Sequence, residues 1–299
     1  MKLFIYSDTV LRANCYLWVN TETQQALVVD PGAGSADWVR TKAEAEGVTI
    51  AGVLLTHGHP DHVWDAAAVA GDKPVFISEA DRYRLDDPMS HLPAAMGVVM
   101  GQWTRPENIE TIPALCLQGG GAQILPGFPV RAIPVPGHTE GSVGYLTAGI
   151  LEEGEGAITV SRGCGGGGGC GCGGGGCGGG KGHGGGQGGC GCGGGGCAEE
   201  RDAEAGGCGC GTDECTEDGA EPQDSGEHVG LIFLGDVLLG DSIGRTDLPG
   251  GDEKEMKSTL RMLAVSIDPA TVVATGHGPL MSFEFQLQSN MMMRRALTE

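Results

Sequence analysis

The sequence predicts an α/β protein, in which short apolar runs typical of strands alternate with segments typical of helices. The chain has 299 residues, and 40% of them are hydrophobic, which is enough for a buried core. The alternation stops at residues 152–228, a low-complexity stretch rich in glycine and acidic residues. Outside this 77-residue stretch, 222 of the 299 residues remain to build the fold.

Strands are expected where apolar residues run together in short segments. In chain order they are residues 3–6, 15–19, 26–29, 53–55, 75–77, 130–135, 143–146, 230–234 and 271–274. Helices are expected at residues 36–46, 61–69, 79–85, 253–264 and 283–297. Ser35 and Asp252 are expected N-caps, and Gly47 follows the end of the first helix.

Charge and hydropathy exclude several classes of partner. The formal net charge is −21, and no stripe of Lys or Arg is present, so neither nucleic acid nor an anionic membrane is expected as a partner. No apolar run approaches the roughly 18 to 20 residues of a membrane helix, and the N-terminal run is too short for a signal peptide. A cytoplasmic location is therefore expected.

Residues 163–197 contain 25 glycines and 7 cysteines in 35 positions. Such a composition buries too little apolar surface to offset its ordering entropy, so residues 152–228 are predicted to be a disordered insertion within one domain, residues 1–299. Cys-x-Cys-x4-Cys occurs three times, with its cysteines at Cys170, Cys172 and Cys177, at Cys190, Cys192 and Cys197, and at Cys208, Cys210 and Cys215. In a reducing cytosol these thiols indicate soft-metal binding or redox chemistry, and expansion of a repeat tract without a role stays as the alternative.

Four potential metal ligands lie within six residues, directly after the apolar run 52–55. They are His57, His59, Asp61 and His62. Imidazole and carboxylate ligands together suit zinc, iron or manganese.

Three further candidates each follow a predicted strand and have glycine beside them: His138, Asp236 and His277. Glycine lets the backbone turn tightly and approach a buried ion. The seven side chains are the number that two metal ions sharing one carboxylate would use.

The order His-x-His-x-Asp-His, Gly-His-Thr, Gly-Asp and Gly-His-Gly resembles the metallo-β-lactamase superfamily across the whole chain outside the insertion. The resemblance implies a four-layer αββα sandwich. It also implies that one ion binds His57, His59 and His138, that the other binds Asp61, His62 and His277, and that Asp236 bridges them. Asp30 matches the family's early aspartate, which supports the ligand loop from behind.

Two divalent ions, with zinc expected and iron or manganese as alternatives, supply a water-derived nucleophile and polarise a carbonyl, so no serine or cysteine nucleophile is needed. Asp61 and Asp236 are the expected catalytic residues. Residues 235–252 are similar to the glyoxalase II-like branch, the hydroxyacylglutathione hydrolases. This similarity implies a small-molecule thioester substrate, an S-(2-hydroxyacyl) thiol conjugate, and Arg245 and Asp247 are expected to form an ion pair that shapes the loop.

Two alternatives stay open. Only 22 residues follow His277, whereas glyoxalase II enzymes carry a helical C-terminal domain at this point. Short relatives include persulfide dioxygenases, whose single iron would use His57, His138 and Asp236 here. The other alternative is a metal-binding protein that acts through the cysteines of the insertion.

Overall fold

The computed structural model describes residues 1–9, 11–90, 100–118, 122–150 and 228–299. Residues 152–227 of the predicted insertion, with the cysteine repeats and their soft metal, fall outside these residues and stay predictions. Its last residue, His228, instead begins a strand, His228–Gly235. The assignment of the whole chain to one domain also stays a prediction.

Six strands form the first sheet, in the order β1-β2-β3-β4-β5-β6. They are β1 (Lys2–Ser7), β2 (Asn14–Asn20), β3 (Gln25–Val29), β4 (Thr49–Leu54), β5 (Val75–Ile77) and β6 (Ile109–Thr111). The first three pair antiparallel, and β3 to β6 run parallel. The loops that follow β3, β4 and β5 therefore share one edge of the sheet.

Five strands form the second sheet, in the order β13-β12-β11-β10-β9. They are β9 (Arg131–Pro134), β10 (Val143–Ile150), β11 (His228–Gly235), β12 (Val272–Thr275) and β13 (Met281–Ser282). Strand β10 pairs antiparallel with β9 and β11, and β11 pairs parallel with β12. The carboxyl ends of β9, β11 and β12 therefore lie at the same edge of the second sheet. A separate hairpin joins β7 (Gln123–Leu125) to β8 (Phe128–Pro129).

Seven α-helices accompany the two sheets in the described part of the chain. They are α1 (Ala36–Glu46), α2 (Pro60–Val63), α3 (Ala66–Ala70), α4 (Ala114–Leu117), α5 (Glu253–Ser266), α6 (Phe283–Ser289) and α7 (Met291–Thr298). A central core that includes Trp18 and Phe233 lies between the sheets. One outer core joins the first sheet to α1 and α3, and another joins the second sheet to α5, α6 and α7. The predicted αββα sandwich is confirmed.

Three predicted helices differ from the observed ones. The segment 61–69 is two short helices, because the Asp65 N–H donates to Pro31 O and interrupts the helical ladder. The C-terminal segment is also two helices, because Asn290 is extended and its side chain accepts from the N–H groups of Met292 and Met293. Of residues 79–85, only Arg82–Leu85 is helical, as one 3-10 turn.

Of the two predicted N-caps, one is confirmed and the other is wrong. Asp252 caps α5 by accepting from Glu255 N–H at 2.9 Å, as predicted. Ser35 does not cap α1, because its hydroxyl donates to Gly32 O, and Asp65 accepts the Ala36 N–H instead. Among the described helices, none is long and apolar enough to cross a bilayer.

Candidate metal centre

All seven predicted ligands lie at the edge of the sandwich where the strand ends of both sheets meet. The segment from His57 to His62 follows β4, and the other three each follow a strand of the second sheet, with His138 after β9, Asp236 after β11 and His277 after β12. The parallel pairing of β11 with β12 and the antiparallel pairing of β10 place these loops together.

The histidines divide into two groups. The first cluster is His57, His59 and His138, and the second cluster is Asp61, His62 and His277; in each, the possible ligand atoms lie within 4.8 Å of one another. In the first cluster, His59 Nδ1 is 2.9 Å from His138 Nε2. In the second, His277 Nε2 is 3.4 Å from Asp61 Oδ2. These two groups have the composition that the sequence resemblance implies, and a third group of possible ligands, Asp30 with His57 and His62, takes one histidine from each cluster.

Asp236 lies between the two clusters. Its Oδ2 is 3.6 Å from His138 Nε2 in the first cluster. Its Oδ1 is 3.3 Å from His62 Nε2 and 3.5 Å from His277 Nε2 in the second. One carboxylate oxygen therefore faces each cluster, as a carboxylate shared by two cations requires.

Buried polar atoms at this site lack partners. His57 Nε2, His62 Nε2 and Asp236 Oδ1 are buried and make no hydrogen bond within the described part of the chain. Buried polar atoms without partners are costly, so their convergence needs a compensating ligand. Imidazole nitrogens with carboxylate oxygens suit zinc, iron and manganese, so the residues fit a two-metal group.

Asp30 orients the ligand histidines from behind. Its Oδ1 accepts from Thr56 N–H at 2.8 Å, and its Oδ2 accepts from the Thr56 hydroxyl at 2.6 Å and from His62 Nδ1 at 3.1 Å. Because the Thr56 hydroxyl gives its proton to Asp30, it accepts from His57 Nδ1 at 3.1 Å. Both imidazoles then direct an Nε2 lone pair into the site. His138 does the same by donating Nδ1–H to Arg245 O at 2.8 Å.

Electrostatics favour the ligand form of three of these side chains, His57, His59 and Asp236. At His62 and His277 burial would lower the pKa, but the neighbouring carboxylates of Asp61 and Asp236 raise it above its usual value. Burial and the neighbouring imidazoles hold the pKa of His57 well below its usual range. Burial and His138 lower the pKa of His59 to about 3, so both rings are neutral. Burial would raise the pKa of Asp236, but His62 and His138 hold it well below its ordinary value. Neutral imidazole and ionised carboxylate are the states that bind metal.

Glycines keep the site open at two close approaches. Gly235 has φ +50°, and a Cβ there would overlap the Thr56 hydroxyl. A Cβ on Gly276 would overlap Asp236 Oδ1 and lie 2.9 Å from His62 Cε1. The expectation that glycine allows the ligand loops to approach closely is met at both positions.

The Arg245–Asp247 ion pair forms as expected, with two hydrogen bonds of 2.7 Å, and both side chains are exposed. Its hydrogen bonds lower the pKa of Asp247 to about 2. Arg245 also contacts the centre directly, because its carbonyl accepts from His138.

Sequence reasoning missed three buried residues that hold the ligand loops: Asn14, Asp81 and Arg84. The i,i+3 spacing of Asp81 and Arg84 was a signal for an ion pair. Nothing in the sequence indicated that either Asp81 or Asn14 would reach a ligand loop.

Comparison with known proteins gives one family match and several sequence relatives. Residues 8–151 match the family described as the metallo-beta-lactamase superfamily. Protein Rv2581c of Mycobacterium tuberculosis, described as uncharacterized, is 27% identical over 90% of this chain and 87% of that protein. YqgX of Bacillus subtilis, a probable metallo-hydrolase, is 21% identical over 90% of this chain and 86% of its own length. The hydroxyacylglutathione hydrolase of Shewanella oneidensis is 32% identical over 46% of this chain and 45% of that enzyme.

Solved structures show the same fold. BLEG-1 B3 metallo-beta-lactamase superposes with a TM-score of 0.59 and 20% identity, over 97% of this chain and 99% of that one. TTHA1623 in a di-iron-bound form gives a TM-score of 0.57 and 20% identity, over 96% and 98%. The chain thus has the metallo-β-lactamase fold with a histidine-rich candidate metal site.

Proposed function

We propose that this protein is a two-metal hydrolase that cleaves a small thioester, an S-(2-hydroxyacyl) thiol conjugate of the hydroxyacylglutathione type, with zinc as the expected metal. The observation that carries the two-metal part is Asp236, whose two oxygens face separate clusters. The partial likeness to a hydroxyacylglutathione hydrolase supports the thioester part.

The seven ligands would hold two divalent cations, which lower the pKa of water and polarise the attacked carbonyl. The chain itself supplies orientation and negative charge. Asp61 Oδ2 lies 3.4 Å from His277 Nε2, and its side chain is 19% exposed, so it reaches the open side of the second cluster. We assign Asp61 to orienting the attacking water, and Asp236 would help to hold both cations.

The test is metal content and thioesterase turnover of the full chain, purified under argon. Metal bound by the cysteines of residues 152–228 is removed by subtraction, using a His57→Ala, His62→Ala, Asp236→Ala triple variant that keeps this segment unchanged. Two zinc ions, or zinc plus iron, above this background with hydrolysis of S-lactoylglutathione would support the proposal.

One iron above background, with oxygen uptake on a persulfide and no thioester cleavage, would replace the hydrolase by the mononuclear dioxygenase. Metal bound equally by the parent and the triple variant, without turnover, would replace it by a metal-binding protein acting through the cysteines.

A further inference from the structure

Two buried side chains outside the ligand set each contact the loops of one metal cluster. We propose that Asp81 positions the first cluster and Asn14 positions the second. We call these two side chains the clamps. Because they act independently, metal binding at one cluster can be weakened without affecting the other. The inference rests on the proposed two-metal site.

The Asp81 carboxylate joins the two loops that carry the first cluster. It accepts from Gly58 N–H at 2.8 Å, and Gly58 lies between His57 and His59. It also accepts at 2.8 Å from the hydroxyl of Thr139, the residue after His138, and at 2.9 Å from Gly141 N–H, three residues after His138. One fully buried carboxylate thus fixes the backbone beside all three histidines of this cluster.

Arg84 holds the Asp81 carboxylate in place. Its Nε is 3.3 Å from Asp81 Oδ1, and its Nη2 donates to Pro249 O at 2.9 Å and to Glu140. Its stem packs on the ligand loop, because a Cβ on Gly58 would lie 2.7 Å from Arg84 Cβ. A buried carboxylate needs this compensation, and the ion pair gives Asp81 one fixed position.

The Asn14 carboxamide holds the loop of His277 from both sides. Its Nδ2 donates to Thr275 O at 3.0 Å and to Gly278 O at 2.8 Å, the carbonyls that flank His277. The hydroxyl of Ser7 donates to Asn14 Oδ1, which sets the orientation of the amide. The Asn14 N–H adds a third bond, to Gly276 O at 2.7 Å.

The two clamps share no hydrogen-bond partner among the described residues. Asp81 bonds to the loops of residues 57–59 and 138–141, whereas Asn14 bonds to residues 275–278. Outer partners of metal ligands typically change metal affinity by about 10- to 100-fold, since they set the orientation of the ligands. Independent partners therefore predict independent effects on the two ions.

The test uses the isosteric variants Asp81→Asn and Asn14→Asp in the full chain. Asp81→Asn places an NH2 group against N–H or O–H donors, and Asn14→Asp places a carboxylate against two carbonyl oxygens. Each is combined with a background that keeps one cluster: His277→Ala leaves the first, and His138→Ala leaves the second. Zn2+ affinity is measured by chelator competition, with the metal bound by the triple variant subtracted.

We expect Asp81→Asn to weaken zinc about 10- to 100-fold in the His277→Ala background and to leave it unchanged in the His138→Ala background. Asn14→Asp should show the opposite pattern. Asn20→Asp is the matched control, because Asn20 ends the strand that Asn14 begins and donates to Gly127 O at 2.7 Å, away from both clusters. It should lower the unfolding temperature without changing either zinc affinity.

Equal loss of zinc in both backgrounds would overturn the inference, since general destabilisation would then explain it. Unchanged affinity for both variants would also overturn it. If the parent chain binds a single ion, the proposed two-metal function fails first. If the parent binds two ions but Asp81→Asn and Asn14→Asp leave zinc affinity unchanged, the two-metal function is retained and only the positioning roles of Asp81 and Asn14 are refuted.

Discussion

Replacing Thr56 with valine tests the chain of hydrogen bonds that runs from Asp30 to His57. The substitution keeps the shape of the side chain and removes one hydroxyl. That hydroxyl donates to Asp30 Oδ2 at 2.6 Å and accepts from His57 Nδ1 at 3.1 Å. The loss therefore affects both a buried carboxylate and the tautomer of a candidate metal ligand.

The magnitude follows from these two bonds. A hydrogen bond to a charged group contributes about 1.5 to 3 kcal/mol, and an unsatisfied buried donor costs about 1 to 3 kcal/mol. Asp30 keeps its hydrogen bonds from Thr56 N–H and His62, so we use the lower end of each of these two energy ranges. We expect the free energy of unfolding to fall by about 2.5 kcal/mol. Zinc affinity of the first cluster should fall by about 10- to 100-fold, because His57 loses its orienting partner.

The assay is urea unfolding of metal-depleted protein together with chelator competition for zinc. Thr147→Val is the matched control, because the Thr147 hydroxyl is buried in β10 and has no hydrogen-bond partner among the described residues. Removing it should leave stability unchanged or raise it by up to about 1 kcal/mol, without affecting zinc. A Thr56→Val protein as stable as the control, with parental zinc affinity, would refute the hydrogen-bond chain.

Two further changes have defined outcomes. Gly276→Ala should reduce bound zinc to the background of the triple variant while the protein stays folded by circular dichroism, because the new methyl group overlaps the Asp236 carboxylate; full zinc content would contradict this. Glu46→Gln tests pH dependence. Burial would raise the pKa of Glu46, but Lys42 and Lys2 hold it below its usual value, so the carboxylate stabilises the fold above about pH 4.5 and this contribution is lost as pH falls further. The variant should be about 0.5 to 1 kcal/mol less stable at pH 7 in low-salt urea titrations, and a difference that persisted undiminished well below pH 4 would argue against the ion pairs.

The candidate ligands and the fold could be predicted from the sequence because both leave local signals. Residues 57–62 place four potential ligands within six residues, and each later candidate ligand follows an apolar strand and has glycine beside it. Strand positions were predicted well where apolar runs were long, as in β2 and β3. The short strands β6, β7, β8 and β13 have only two or three residues, too few for a pattern to form.

Tertiary contacts decided what local patterns could not. The helix predicted over 61–69 breaks because Asp65 bonds to Pro31 and Ala36, residues about thirty positions earlier in the chain. The roles of Asp81 and Asn14 likewise depend on partners that lie 23 to 264 positions away. The role of a buried carboxylate or carboxamide depends on the hydrogen-bond partners that the fold brings to it. The sequence by itself determined the candidate metal ligands, and only the folded structure decided which buried groups bond to their loops, because those bonds join residues far apart in the chain.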